Sequence, residues 1–176
     1  MKKLMLTMVI SLMSLPVLIA QNTSFGLTAG YLNVDVGAKY QGVSSSVSES
    51  GFYIGAFADI ALTPVIHLQP GINYGFIEDS GIIYVPVMAK IYIADSGFSL
   101  QAGPQASILT EDTGDEVKAF GLDVGLGAAY DINSNFFVEA RYSLELTNRL
   151  TSEFTNVYGD ISSKINSLFI GVGYKF

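Results

Sequence analysis

The sequence predicts an all-β fold, an eight-stranded antiparallel transmembrane up-and-down β-barrel. Eight segments, each of roughly the 9–11 residues that a tilted membrane strand needs, alternate large apolar residues with small or polar ones. In the second to eighth segments the apolar face carries no charged residue. The last segment, residues 168–176, has a large apolar side chain at every second position and ends in Phe. These features favour strands that turn their apolar face toward lipid.

Before the strands lies a segment with the pattern of a secretory signal peptide. Two lysines precede an apolar run over residues 4–15, and Ala20 closes the segment. We therefore expect a signal peptide over 1–20, cleaved after Ala20, and an outer-membrane β-barrel domain over 21–176. A retained membrane anchor is the alternative, but the run is short for a span of about 20 residues. The sequence contains no Cys, which excludes a lipoprotein anchor.

The charge of the chain disfavours one class of partner. Nine basic residues less the two lysines of the N-terminal segment leave seven, against 16 acidic residues, so the expected barrel domain has a formal charge of −9. A domain this acidic is not expected to bind nucleic acid, because the phosphate backbone requires a basic surface.

The first predicted strand, which begins at Phe25, is the least regular of the eight. Apolar residues alternate as far as Tyr31, and then Leu32, Val34 and Val36 continue in the opposite phase. Either a bulge or the edge of the membrane near Leu32 accounts for the change.

The next six strands alternate without interruption, and the eighth is the C-terminal segment. Their expected ranges are 52–62, 66–76, 83–93, 98–108, 120–130 and 136–146. Aromatic residues concentrate toward the strand ends, where the aromatic girdles of membrane barrels lie. Glycines concentrate on the polar face, which suits the tight interior of a small barrel. Pro70, Pro86 and Pro104 fall inside strands, and because proline cannot donate to the ladder we expect a bulge at each.

The connections between these strands alternate in length. The short ones are 63–65, 95–97 and 131–135, and the mostly longer ones are 37–50, 77–81, 110–118 and 147–163. Short periplasmic turns and longer outer loops are typical of outer-membrane barrels. With eight strands, both ends of the barrel domain then fall on the periplasmic side.

Charged residues of the strands share the polar, inward face. We predict that they form a structural ion network that satisfies buried charge, and a gate for a narrow water path is the alternative. The residues of this network are Asp59, Lys90, Asp123, Glu139, Arg141 and Glu145. Arg141 is expected to pair with Glu139, Glu145 or a cross-strand acid such as Asp123.

The sequence offers little that could act as a catalytic, cofactor or metal site, and we predict none of the three. His67 is the only histidine, and a catalytic role would require a nucleophile and an orienting acid beside it. One histidine, no cysteine and scattered carboxylates are a poor set of metal ligands. The acidic loop residues Glu111, Asp112, Asp115 and Glu116 lack the spacing of a calcium loop, so a solvated loop is expected there.

Several short motifs resemble the PorT-like small outer-membrane β-barrel family, over roughly residues 25–176. The motifs are 67–71, 84–90, 103–104, 139–144 and 171–176. The resemblance implies an outer-membrane location and, for some members of the family, assistance to a protein-secretion system. The inward charges are similar to those of OmpA-type eight-stranded barrels. The C-terminal strand looks like those that the barrel-assembly machinery reads during insertion, which implies an insertion signal formed by Val172, Tyr174 and Phe176.

These observations lead to one expected function and two alternatives. We expect a non-enzymatic outer-membrane β-barrel with a structural or partner-binding role, linked to a protein-secretion or envelope complex. The expected partners are outer-membrane lipid, the barrel-assembly machinery during insertion and an envelope or secretion-complex protein. A small-solute or ion pore is the first alternative. A soluble lipocalin-like ligand-binding barrel, whose apolar faces would line a cavity, is the second.

Overall fold

The computed structural model describes most of the chain that follows the predicted signal peptide. The described residues are 22–78, 80–94, 96–111, 113–114, 116–151, 155, 159 and 161–176. The predicted signal peptide with its cleavage site, and Asp112 and Asp115 of the acidic loop, lie outside the described residues. Within the described ranges, no helix has the length and apolar character needed to cross a membrane.

Eight antiparallel strands form one closed barrel in which each strand pairs with the next and the last pairs with the first. The strands are β1 Thr23–Tyr40, β2 Val43–Ala61, β3 Ile66–Ile77, β4 Ser80–Tyr92, β5 Phe98–Leu109, β6 Phe120–Asp131, β7 Phe136–Glu145 and β8 Ile161–Lys175. The predicted fold class is therefore confirmed. Closure of β8 onto β1 leaves no open edge within the barrel wall. A membrane requires this, because unpaired backbone polar groups are costly in lipid.

Apolar and charged side chains are distributed between the two faces of the strands as in a membrane barrel. In β7, exposed and buried residues alternate from Phe136 to Glu145. The exposed positions are apolar or aromatic, such as Val138 and Tyr142, whereas the buried ones include Glu139 and Arg141. Because the charged side chains lie inside and the apolar ones outside, the lipocalin-like alternative is wrong.

β1 contains no bulge. It pairs with both β2 and β8 in a continuous register along its length. Leu32 and Val34 are buried and point inward, while Asn33 and Asp35 point outward. The apolar side chains therefore change from the outer to the inner face near Tyr31 without an inserted residue. The bulge explanation for the phase change is wrong, and the membrane edge stays as the prediction.

The prediction of a first outer loop over residues 37–50 is wrong, because most of these residues belong to strands. β1 and β2 continue to a two-residue turn at Gln41 and Gly42, whose φ angles of 48° and 85° are those of a type I′ hairpin turn. β8 accompanies β1 as far as the pair Tyr40 and Ile161. A run rich in serine and glycine reads as a loop in sequence, but here it builds a three-stranded sheet that projects beyond the barrel wall.

The three prolines inside strands interrupt the ladder without a bulge. Pro70 lies at an interruption in the pairing of β2 with β3. Pro86 lies at an interruption in the pairing of β3 with β4, and Pro104 at one in the pairing of β4 with β5. The register is the same on both sides of each interruption, so no residue is inserted. The missing N–H groups cost local hydrogen bonds, but the intact pairs on either side hold the strands in register.

Both ends of the barrel chain lie beside the short turns. The backbone N–H of Phe176 donates to the carbonyl of Phe25 at 2.8 Å, and that of Lys175 donates to Asn135 at 2.7 Å. Asn133 holds the last short turn, because its Oδ1 accepts from the N–H groups of Asn135 and Phe136. We call this the periplasmic end and the opposite one the outer end, because short turns face the periplasm in outer-membrane barrels.

Candidate functional site

Large aromatic side chains fill the periplasmic half of the barrel interior. The rings of Phe57 and Phe137 meet edge to face with centroids 5.5 Å apart. Glycines of the barrel wall make room for them, because a Cβ at Gly26 would overlap the Phe57 ring and one at Gly173 would overlap the Phe137 ring. The inward glycines of the sequence thus have a steric reason.

A second apolar layer fills the outer half. The ring of Phe169 stands edge to face against Tyr53 at 5.2 Å and against Tyr84 at 4.9 Å. Leu32, Val34, Ile77, Ile82 and Ile165 surround these rings. Between the two layers lies a cavity of about 10 Å³ whose lining includes Gln69 and Arg141. It has room for about one water molecule, so the interior is tightly packed at this level.

The ion pairs at the periplasmic end of the interior each include a residue outside the predicted network. Nδ1 of His67 lies 2.6 Å from Oδ1 of Asp59. Nζ of Lys175 lies 2.8 Å from Oδ2 of Asp131, which also accepts a hydrogen bond from the hydroxyl of Tyr92 at 3.1 Å. His67 therefore has an acid partner and packs against the Tyr92 ring at 4.8 Å.

Glu139, at mid-height, is held by neutral donors. Its Oε1 accepts from the hydroxyl of Tyr53 at 3.2 Å and from Thr28 at 3.4 Å, and its Oε2 accepts from Nε2 of Gln101 at 3.2 Å. Asp123 also has a neutral donor, since its Oδ2 accepts a hydrogen bond from Nε2 of Gln105 at 3.3 Å. The donors to these two carboxylates are amides and hydroxyls, and among the described residues Oδ1 of Asp123 has no hydrogen-bond partner.

The outer end of the interior holds an ion pair that the sequence did not reveal. Nε of Arg149 lies 2.6 Å from Oε1 of Glu145, and both side chains are almost fully buried. Arg149 also donates to Ser107 at 2.6 Å and to the carbonyl of Ala119 at 2.7 Å. Arg149 falls in a predicted outer loop, yet its side chain enters the barrel. No sequence pattern pointed to this pair, because a four-residue spacing brings side chains together only on a helix and Arg149 lies beyond the end of β7.

The two cations of the predicted network lie over aromatic rings. Nζ of Lys90 is 5.2 Å from the ring centroids of both Tyr92 and Phe137, and it has no hydrogen-bond partner. Cζ of Arg141 is 4.7 Å from the Phe169 ring, and its Nε and Nη2 have no partner. Among the described residues no carboxylate lies within 4.0 Å of Arg141, so the expected pairing of Arg141 with an acid is wrong.

All six predicted interior residues are buried, but they lie in separate groups along the barrel axis. Asp59 lies near the periplasmic end, Glu139 at mid-height and Glu145 toward the outer end, each with its own partners. In the part of the chain that the structure describes, no three His, Asp or Glu residues converge as metal ligands. Chemically, this interior can hold charge in place.

The sheet that projects from the outer end is a second candidate site. β2 pairs with β3 only from Phe52 onward, so among the described residues its edge over 43–50 has no strand beside it. The side chains that continue the inward face are apolar and exposed: Val36, Tyr40, Val43 and Val47. The outward face is rich in serine and carries Lys39 and Lys164.

The three residues of the expected insertion signal line one outward stripe of β8. Val172, Tyr174 and Phe176 are 58%, 37% and 71% exposed. The Tyr174 ring packs against Phe136 at 4.9 Å and against Phe176 at 5.3 Å. The stripe thus continues an aromatic cluster on the lipid-facing surface of the periplasmic end.

Comparison with solved structures finds the same fold in bacterial surface proteins. Neisserial surface protein A is 16% identical over 88% of this chain and 99% of its own, with a TM-score of 0.52. Ail, the attachment invasion locus protein of Yersinia pestis, is 18% identical over 88% of this chain and 99% of its own, with a TM-score of 0.49. At such identities the likeness shows the fold alone. No curated protein matches this sequence significantly.

The family comparison is more direct. The model of the outer membrane protein beta-barrel domain matches residues 5–176, which is nearly the whole chain. The match agrees with the closed barrel, the inward charges and the apolar exterior described above. The chain therefore belongs to the outer membrane protein beta-barrel domain family, and it is a protein of the outer membrane.

Proposed function

We propose that the chain is a non-enzymatic outer-membrane barrel with a structural and partner-binding role, and that the partner binds the projecting sheet of β1, β2 and β8. The partner is expected in a protein-secretion or envelope complex, as the resemblance to PorT-like barrels implies. Residues 1–20 would direct export as a signal peptide, and Val172, Tyr174 and Phe176 would be read by the barrel-assembly machinery. The interior charges would act as a structural plug.

The free edge of β2 is the observation that carries the proposal. In a two-residue hairpin the residues that flank the turn are hydrogen-bonded to each other, so Tyr40 and Val43 exchange backbone hydrogen bonds. Counting from that pair, the backbone N–H and C=O groups of Ser44, Ser46 and Ser48 point away from β1. They can receive a strand from another protein.

The opposite edge of the projecting sheet is covered. The backbone N–H of Arg149 donates to the carbonyl of Ser163 at 2.9 Å, and the N–H of Ser163 donates to Oδ1 of Asn148 at 2.9 Å. Among the residues that the structure describes, the chain thus protects the edge of β8 with its own loop and leaves the edge of β2 open over 43–50. Natural proteins usually block exposed edges, so an eight-residue open edge favours a binding role.

The side chains beside this edge indicate which residue types the partner strand should carry. Val43 and Val47 are 73% and 61% exposed on one face, where they can receive apolar residues of an added strand. Glu49 is exposed on the same face, and a basic residue of the partner would complement it. We therefore expect an extended segment with alternating apolar residues and a cation.

A proline at Ser46 tests the proposal. Because the N–H of Ser46 points to the open edge, Ser46→Pro removes a donor there and leaves the hairpin ladder to β1 intact. A photoreactive residue in place of Ser44 should crosslink a partner in intact cells, and Ser46→Pro should abolish that product. Ser46→Ala, which keeps the N–H, is the control. An identical crosslink in the proline variant, with both variants folded, would contradict edge binding.

The packed interior argues against the pore alternative. The cavity between the two aromatic layers admits about one water molecule, and no described feature opens it to both ends. We therefore propose the structural plug and not the gate as the role of the interior charges.

A further inference from the structure

A shallow polar groove lies on the outward face of the projecting sheet. Its volume is about 500 Å³, and Gly37 forms part of its floor. Serine hydroxyls of β2 and β8 and the side chains of Lys39 and Lys164 line it. The two lysines lie on the face opposite the exposed valines, and on its β2 side, at residues 44–46, the groove adjoins the open backbone edge.

The two lysines of the groove are neighbours. The register of β1 with β8 places Gly37 opposite Lys164 and Lys39 opposite Ser162, so the lysines are diagonal neighbours on one face. Neither ammonium group has an ion pair or hydrogen bond with the described residues. The acid nearest in register on this face, Asp35, accepts from the hydroxyl of Ser48 at 3.0 Å. In a chain of net charge −7, two adjacent unpaired lysines favour a bound anion.

The height of the groove above the membrane indicates which anion it meets. Its face continues the lipid-facing face of β8, on which Leu168 and Ile170 lie lower along the strand. Lys164 is four residues beyond Leu168, roughly 13 Å along the strand. With the usual strand tilt this is roughly 10 Å above the apolar band. The groove therefore lies at the level of lipid headgroups, on the side of the longer loops.

We propose that this groove binds the phosphate of a phosphorylated glycolipid of the outer leaflet. Lys39 and Lys164 supply the positive charge, and the hydroxyls of Ser46 and Ser162 donate hydrogen bonds to the phosphate oxygens. Gly37 leaves the space that the headgroup occupies. The inference does not depend on a protein partner at the β2 edge, so either can fail without the other.

Native mass spectrometry of the folded protein in detergent tests the proposal, with diphosphoryl lipid A as the probe. The double variant Lys39→Gln/Lys164→Gln should bind the probe roughly 20-fold more weakly than the unmodified chain, because each lysine near an anionic surface is worth about a factor of five. Lys118→Gln, which removes an exposed lysine of an outer loop, is the matched control and should bind normally. Resistance to unfolding in cold SDS shows that each variant is folded.

A second variant fills the groove without a change of charge. A Cβ at Gly37 would have only the carbonyl of Lys164 nearby, at 3.9 Å, so Gly37→Leu fits the strand and should fold. It should weaken lipid A binding at least five-fold. Weaker binding of dephosphorylated lipid A and of phosphatidylcholine to the unmodified chain would support a phosphate site. Equal binding of these lipids, or full binding by both variants, would overturn the proposal.

Discussion

Arg149 reaches from an outer loop into the barrel, where its Nε lies 2.6 Å from Oε1 of Glu145. Oε2 of the same carboxylate accepts from the backbone N–H of Ile165 at 2.6 Å, so the pair ties the β7–β8 loop, β7 and β8 together. The substitution Arg149→Met would leave the Glu145 carboxylate buried without its cation. It should cost roughly 3–5 kcal/mol of folding free energy. Urea titrations in lipid vesicles would measure the loss.

The matched double variant decides whether the pair is responsible. Arg149→Met/Glu145→Gln removes the uncompensated charge together with its partner and should be more stable than Arg149→Met alone. A double variant whose loss equals the sum of the two single losses would show that Arg149 acts through its bonds to Ser107 and Ala119 instead.

Arg141 should behave differently from Arg149. It has a ring contact with Phe169 and no carboxylate within 4.0 Å among the described residues. Arg141→Met keeps most of the volume and leaves Glu139 with its three neutral donors, so we expect a loss of at most about 2 kcal/mol, the value of a desolvated cation–π contact. The same urea titration compares the two arginines. A loss for Arg141→Met as large as that for Arg149→Met would point to a buried ion pair of Arg141.

The aromatic layer of Phe57 and Phe137 should keep the barrel closed. The unmodified chain is expected to show no steady conductance in planar bilayers. Phe57→Ala/Phe137→Ala opens only the periplasmic half, so conductance should appear only in the triple variant that adds Phe169→Ala in the outer layer. The control is Phe52→Ala/Phe76→Ala, which removes a stacked pair with centroids 4.7 Å apart that is directed toward lipid. Conductance in the unmodified chain, or a triple variant that conducts no more than this control, would refute closure of the barrel by the two aromatic layers.

The lipid-facing side of β8 should tolerate charge only above the membrane. Val172, two residues deeper in the membrane than the partner of Tyr31, is 58% exposed on the apolar face, and Val172→Arg should cost roughly 2–4 kcal/mol. Ser162→Arg lies on the same face of the same strand, on the projecting sheet, and should cost less than about 1 kcal/mol. Folding titrations into vesicles compare the pair, and equal costs would mean that the membrane boundary is misplaced.

Deletion of Phe176 should slow insertion more than it destabilises the barrel. The deletion removes one lipid-facing ring and one backbone hydrogen bond to Phe25. Loss of the ring from the membrane should lower the folding free energy by about 1.5–3 kcal/mol. If the terminal aromatic is part of the insertion signal, the variant should be degraded in cells yet fold in vesicles. Phe98→Ala, another lipid-facing aromatic at the periplasmic end, should reach normal levels. Normal outer-membrane levels of the deletion variant, measured by fractionation, would disprove the kinetic role.

The sequence by itself determined the barrel wall. Side chains of a strand alternate between two faces, so the pattern of Val138, Glu139, Ala140 and Arg141 identifies which residues face lipid and which face inward without knowledge of any partner strand. The strand count and the antiparallel connections follow from the same local pattern together with the short turns. These properties depend on neighbours in sequence, and for that reason they could be predicted.

Only the tertiary structure decided what the inward residues touch and where the strands end. Glu139 meets Thr28, 111 residues away in sequence, because closure brings β7 and β1 to the same interior, and no local pattern encodes that contact. Serine-rich residues 43–50 form strand because β1, itself paired with β8 on its other side, offers them a continuous ladder, although their composition favours a loop. The prolines stay in register because the flanking pairs hold them. In each case long-range hydrogen bonding and packing outweigh the local preference of the chain.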